Sequence, residues 1–252
     1  MEHVELLPGV VGASGGSGPR VLFVHGAMDR GSAFLRTTRR LDDVAWTIYD
    51  RRGYGRSLGG APASFATHVD DVCALVDLTD APVSLVGHSL GGLLALHAAA
   101  ARPDRVSSVL AYEAPLSFLD WWPVTDAEGR RLEDDPPAVG LDRFMRRVVG
   151  DATWDALPEA TRQQRLSEWP TVLAELVSIR TEGRFDPASV LAPCLIARAE
   201  PSGDHRVRAG AWLAAELPDA ELVLLEGSVH NAHMADAERF AELVRRSMAA
   251  AT

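Results

Sequence analysis

The 252-residue chain contains no lysine. Its 25 lysine-or-arginine positions are all arginine, set against 35 acidic residues, for a formal net charge of −10. A nucleic-acid or anionic-membrane surface needs concentrated positive charge. The arginine pairs here (39–40, 51–52, 130–131, 146–147 and 245–246) are dispersed instead. Neither nucleic acid nor membrane is therefore an expected partner, and the arginine and alanine content reads as compositional bias. Cysteine is nearly absent. Cys73 lies in an amphipathic stretch and Cys194 opens an apolar run. Both read as core thiols rather than as a disulfide. No apolar run reaches membrane-spanning length. The N-terminus has neither a basic region nor an apolar stretch of the signal-peptide kind, so a cytoplasmic location is expected. No His-Glu-x-x-His occurs, and His230 and His233 have no cysteine nearby, so no metal site is expected. The glycine-rich stretch 12–18 lacks a lysine and precedes a strand, which excludes a phosphate loop.

What is present describes a globular chain. Apolar residues make up 47%, mean hydropathy is near zero and the isoelectric point is about 5.2. The length suits one domain with a large core, or a core plus a small insertion. Val4 to Leu7 and Val10-Val11 suggest a leading hairpin. Six short apolar runs follow, at Val21–Val24, Val44–Tyr49, Val83–Val86, Val106–Tyr112, Cys194–Ala199 and Glu221–Leu225. They are rich in β-branched residues, as buried parallel strands are. Helical patterns separate them, at Ser32–Leu41, Ser64–Leu78, Leu90–Ala101, Arg206–Glu216 and Ala235–Ala249. Such alternation predicts an α/β fold, a mostly parallel sheet with helices on both faces.

Gly87-His88-Ser89-Leu90-Gly91 reads Gly-x-Ser-x-Gly, after one of these strands and before a small-residue helix. A sharp strand-to-helix turn at a serine projects its Oγ into open space, and glycines avoid crowding the turn. The helix start aims free N–H groups and a positive dipole end at that serine. Two further features join it. Val21-Leu22-Phe23-Val24-His25-Gly26-Ala27 is a strand ending in His-Gly. Leu222 to His230 is a late strand ending in a loop histidine.

Together these features resemble the α/β-hydrolase superfamily over nearly the whole chain from Val21 onward. The resemblance implies an α/β-hydrolase fold with core residues 1–115 and 190–252 and a helical cap insertion at 116–189. The insertion holds Trp121, Trp122, Trp154 and Trp169, four of the six tryptophans. It has helical pieces near Leu141–Val149 and Thr171–Thr181, interrupted at 134–137 and at Leu157-Pro158. Cap packing accounts for such tryptophans, while Trp121 and Trp122 are candidate substrate contacts because large flat rings suit an apolar pocket.

By the same resemblance Ser89 is the nucleophile and His230 its base, since a neutral serine needs a base within reach. His233 is the second candidate base. Gly227-Ser228-Val229-His230-Asn231-Ala232-His233 is similar to the family's glycine-histidine sequence after the last strand. The backbone N–H groups of Leu90 and Ala27 are the implied oxyanion donors. His25, His88 and His97 read as structural, His68 as lying on a surface helix, and His205 as a residue of the loop after the fifth strand. Asp50 to Ser57 is similar to the family's Asp-x-Arg-Gly-x-Gly-x-Ser loop and reads as a turn.

The acid has three candidates. Most members carry it after the fifth of the six strands. There this chain reads Glu200-Pro201-Ser202-Gly203-Asp204, with Ser202 at the usual position, Asp204 out of register and Glu200 at the strand end. Glu113 ends the preceding strand, 24 residues after Ser89. That placement resembles haloalkane dehalogenases, although their nucleophile is an aspartate. Glu113 is preferred, with Asp204 and then Glu200 as alternatives. The expected activity is cofactor-independent serine hydrolysis of an ester or lactone of a small apolar molecule. Thioester cleavage, carbon–carbon hydrolysis and perhydrolysis use the same groups. A lyase and a silent ligand receptor are the rivals of other classes.

Overall fold

The computed structural model describes residues 1–125 and 129–250. Residues 126–128, within the expected insertion, and 251–252, at the end of the expected core, lie outside the described residues. A hairpin, β1 (Val4–Leu7) and β2 (Val10–Gly15), leads into β3 (Arg20–Val24) and β4 (Ala45–Tyr49). Then come β5 (Val83–His88), β6 (Val106–Tyr112), β7 (Cys194–Glu200) and β8 (Ala220–Glu226). They form one sheet in the order β1-β2-β4-β3-β5-β6-β7-β8. β2 runs antiparallel to both neighbours, and β3 to β8 are parallel. All six parallel strands thus end at one edge, where loops collect functional groups.

The helices are α1 (Leu35–Thr38), α2 (Phe65–Asp77), α3 (Leu90–Ala101), α4 (Pro137–Val149), α5 (Asp151–Asp155), α6 (Glu159–Glu182), α7 (Asp204–Glu216), α8 (Ala232–Ala235) and α9 (Ala237–Ala249). Successive strand residues face opposite sides of the sheet. Leu22, Val24, Val109 and Ala111 pack with Val72 of α2, Leu93 of α3 and Leu213 of α7. Val21, Phe23, Leu110 and Tyr112 pack with Phe34, just before α1, and with Phe240 and Val244 of α9. The two-sided core explains why these strands are apolar throughout instead of alternating. α3 is buried on nearly every side, and its run of leucine and alanine suits that position. No helix among the described residues is long and apolar enough to cross a membrane.

Local structure departs from the sequence patterns in three places. The pattern at Ser32–Leu41 becomes a 3₁₀ turn, Gly31–Phe34, followed by the single turn of α1. The last helical pattern is split at Asp236, which has φ −135° and whose side chain accepts from the Arg239 N–H to start α9. The largest departure is α6, which runs 24 residues through Pro170. Proline removes one helical N–H and crowds the preceding turn. Here Pro170 is exposed, while its neighbours Glu168, Trp169, Thr171 and Val172 are buried and hold the chain on course.

Between β6 and β7, helices α4 to α6 form their own apolar cluster. Leu141, Phe144, Met145, Trp154, Trp169 and Val172 meet Met28 and Tyr54 from core loops. Trp154 donates its Nε1–H to Asp142 Oδ1 at 2.8 Å, and Trp169 packs beside Phe144 with ring centroids 5.8 Å apart. Trp169 is 1% exposed and ties α6 to α4. Trp169→Ala should therefore cost about 3–5 kcal/mol, read as a lower midpoint in urea unfolding followed by circular dichroism. An unchanged midpoint would show that the cluster does not depend on this ring.

Candidate active site

β5 hands over to α3 at Ser89, whose φ of 52° and ψ of −125° are those of a sharp reversal. Close backbone approach makes glycine necessary around it. A Cβ on Gly87 would overlap the Gly91 carbonyl, and one on Gly91 would overlap the Val24 carbonyl. A Cβ on Gly26 would lie 2.9 Å from Ser89 Cβ. The Ser89 N–H donates to the Tyr112 carbonyl at 2.7 Å, tying the turn to the end of β6. Leu90 is the first residue of α3, so its N–H has no intrahelical acceptor and points out of the helix's positive end. Among the described residues, three non-glycine positions have positive φ: Met28, Ser89 and Glu113, at 59°, 52° and 50°. They follow β3, β5 and β6 at the same sheet edge, and backbone strain of this kind concentrates at functional sites.

Glu113 sits just past β6, anchored by its N–H to the Ala197 carbonyl at 2.8 Å. Its buried carboxylate is fully engaged. Oε2 faces His230 Nδ1 at 2.5 Å, with Arg206 Nε at 3.4 Å. Oε1 accepts from the Ala199 N–H at 3.1 Å and from Ser202 Oγ at 2.7 Å. Of the three carboxylates considered for His230, Glu113 is the one beside it. Asp204 is exposed in the first turn of α7, and Glu200 is paired with Arg198. Ser202, which occupies the usual acid position, instead donates to Glu113.

His233 is occupied elsewhere. Its Nε2 lies 2.9 Å from Asp29 Oδ2, and its side chain is buried. His88 Nε2 donates to the His230 carbonyl at 2.9 Å and so helps to place that loop. Asp29, His88 and His233 hold their ligand atoms within 4.8 Å of one another, a grouping of three distant segments that no local spacing displays. The Asp29 oxygen of this group is already hydrogen-bonded to His233.

Trp121 and Trp122 are half-buried. Trp122 meets the His205 ring edge-on at 4.9 Å, and the Arg208 guanidinium stacks 4.3 Å from Trp121. A 490 Å³ hollow, lined in part by Trp46, Leu75 and Arg20, lies at the amino ends of the strands, away from Ser89. Sequence reasoning missed Arg206, which is read only as a helix start until the fold brings it to Glu113. It also misread His68. That residue is 1% exposed, because α6 covers the face of α2 expected to meet solvent. His68 Nε2 lies 3.1 Å from Glu175 Oε2 of α6.

The model of the alpha/beta hydrolase family matches residues 21–243. The chain belongs to that family. Over 140 residues it is 42% identical to the lipase LipV of Mycobacterium tuberculosis, covering 55% of this chain and 45% of that protein. It is 29% identical over 223 residues to a pimeloyl-acyl-carrier-protein methyl ester esterase of Chromobacterium violaceum, covering 82% and 85% of the two chains. The match spans about half the length of the first of these relatives. An α/β hydrolase from Sphaerobacter thermophilus superposes with a TM-score of 0.75 at 23% identity, over 96% of this chain and 100% of that one, a likeness of fold.

In this family member the electrostatics at the sheet edge follow from burial and pairing. Burial pushes His230 below the usual imidazole value. The Glu113 hydrogen bond opposes that shift, and Arg206 adds to it. Burial alone would raise the Glu113 carboxyl, but His230, Ser202 and Arg206 together hold it below the usual carboxylate range. At neutral pH the pair is thus a carboxylate facing a neutral imidazole. The proton must sit on Nδ1 to meet Glu113, which leaves the Nε2 lone pair free. Two opposite shifts follow for an NMR titration of His230. Arg206→Gln removes a cation that favours the neutral ring, so the His230 pKa should rise. Glu113→Gln removes the anion that favours the charged ring, so it should fall. Movement of both variants in one direction would contradict this account.

Proposed function

We propose that this protein is a cofactor-independent serine hydrolase that cleaves an ester or lactone of a small, largely apolar molecule through an acyl-enzyme. The observation that carries the reading is the 2.5 Å contact of His230 Nδ1 with the buried Glu113 carboxylate, at the sheet edge where Ser89 stands in its strained turn. Ser89 Oγ attacks the substrate carbonyl as His230 Nε2 takes its proton. Glu113 holds the ring's tautomer and stabilises the imidazolium. The N–H groups of Ala27 and Leu90 receive the oxyanion, each worth about 3 kcal/mol in the transition state. His230 then returns the proton to the leaving alcohol and activates the water that releases the acid. The segment 116–189 acts as a cap, and Trp121 and Trp122 contribute apolar surface to the substrate site. Relatives named as a lipase and a methyl ester esterase support an ester as the bond attacked.

The first test is intact mass after treatment with a fluorophosphonate. A single adduct that disappears in Ser89→Ala is expected. A folded protein that takes no adduct would turn the assignment toward a lyase acting by proton transfer, or toward a ligand receptor. A Ser89-dependent adduct justifies screening thioesters, lactones and activated carbon–carbon substrates beside simple esters. The acid is tested separately by single-turnover acylation. Glu113→Gln should slow it on the order of 10⁴-fold, the scale seen when a triad acid is neutralised. Asp204→Asn should leave it close to wild type. The reverse pattern would return the role to Asp204.

A further inference from the structure

Arg51 stands at the first position that the family-like pattern of the Asp50–Ser57 loop leaves unspecified; the pattern's own arginine is Arg52, which pairs with the buried Asp71. Arg51 itself is 1% exposed, an unusual cost for a guanidinium. Each of its three side-chain nitrogens donates a hydrogen bond. Nε donates to the His25 carbonyl at 3.0 Å and Nη2 to the Gly26 carbonyl at 3.1 Å. Nη1 donates to Glu175 Oε2 at 2.7 Å. Glu175, on α6, is fully buried, accepts from Tyr54 Oη as well, and is held down to about 2 by Arg51 and His68 against the effect of burial.

The loop's backbone completes the clamp. The Arg51 N–H donates to His25 Nε2 at 2.8 Å, so that nitrogen is the acceptor and Nδ1 carries the proton. Nδ1 then donates to the Gly26 carbonyl at 2.8 Å. Burial, with Arg51 adding to it, lowers His25 to about 3, so the ring stays neutral and this tautomer persists. The Gly26 carbonyl therefore receives two hydrogen bonds, one from His25 and one from Arg51. In a trans peptide the carbonyl and the following N–H point opposite ways. Fixing the Gly26 oxygen fixes the Ala27 N–H on the other side. The Gly26 Cα is itself pressed against Ser89, as the 2.9 Å approach of a hypothetical Cβ shows.

We propose that Arg51, held by Glu175 of the helical insertion, is the positioning residue of the oxyanion donor Ala27, so that docking of α6 on the core sets the geometry of the site. This rests on the reading above of Ala27 as an oxyanion donor. It gives the insertion a part in the chemical step, separate from covering substrate.

Removing one partner alone strands a buried charge, so the test replaces both. Arg51→Met with Glu175→Leu keeps volume and removes the pair, a change that folded proteins often tolerate. Arg51→Lys is the second variant, since one ammonium cannot span two carbonyls and Glu175 together. With a simple aryl ester as probe, both variants should lose roughly 100-fold in kcat, the scale of one oxyanion donor, with KM little changed. Affinity for a trifluoromethyl ketone, which forms a tetrahedral oxyanion on the serine, should fall by the same factor. The His230 titration should stay where it is. A folded double variant with wild-type kcat would overturn the proposal, as would a loss accompanied by a displaced His230 titration. A crystal structure of the double variant decides the positioning role without reference to activity: the Gly26–Ala27 peptide should rotate, and an unrotated peptide refutes it. Absence of Ser89-dependent turnover in the wild type would instead refute the functional reading above.

Discussion

The site is organised by backbone packed against backbone at the end of β5. Gly87, Gly91 and Gly26 bring the elbow, the start of α3 and the loop after β3 within distances that leave no room for a Cβ. The strained dihedrals of Ser89 persist because these contacts and the hydrogen bond to Tyr112 over-determine them. Every other group is placed relative to this turn. The Leu90 N–H is where it is because α3 starts there, and the Gly26 Cα lies against Ser89. A serine displaced by an ångström would lose its relation to all of them at once.

A second constraint is electrostatic. A carboxylate buried as deeply as that of Glu113 is stable only when its lone pairs are satisfied. Here His230, Arg206, Ser202 and the Ala199 N–H do so together. With the carboxylate beside His230 standing after β6, the loop after β7 supplies none to that ring. That loop still contributes, because Ser202 and the Ala199 N–H hold the carboxylate's other oxygen. Opposed influences on His230, burial and Arg206 against Glu113, leave a neutral ring beside an anion. Such a pair can accept a proton and stabilise the resulting cation.

The helices between β6 and β7 are bound to the loops of the sheet by more than apolar contact. α6 carries Glu168 and Glu175, both fully buried. Glu168 pairs with Arg30 and accepts from the Gly55 N–H at 2.9 Å, while Glu175 engages Arg51 and Tyr54. Paired buried charges add little net stability, but each orphaned partner is costly, so they favour one docking geometry over its neighbours. The apolar cluster around Trp169 provides the adhesion, and the carboxylates specify the register.

Much of the fold was written in local patterns. Short β-branched runs alternating with helical stretches announce a parallel sheet covered on both faces, because each pattern reflects what a segment can bury by itself. The elbow at Ser89, the loop histidine His230 and the strand-end Glu113 were also picked out, by short motifs at strand ends that resemble those of the family. The ranking of Glu113 over Asp204 rested on its resemblance to the acid placement of haloalkane dehalogenases, and the fold brings Glu113 to His230 and leaves Asp204 exposed. What local pattern did not carry was every contact between distant segments. α6 runs through Pro170 because burial on either side outweighs one lost hydrogen bond. His68 is buried because a helix more than a hundred residues away covers it. Arg51, Arg206 and Glu175 look like ordinary surface charges until the chain closes around them. The sequence by itself determined that short apolar strands alternate with helices and that the parallel strands end at one edge of a sheet, because propensity and period are local. Only the tertiary structure decided which charges meet, because burial and pairing depend on what the rest of the chain places opposite each side chain.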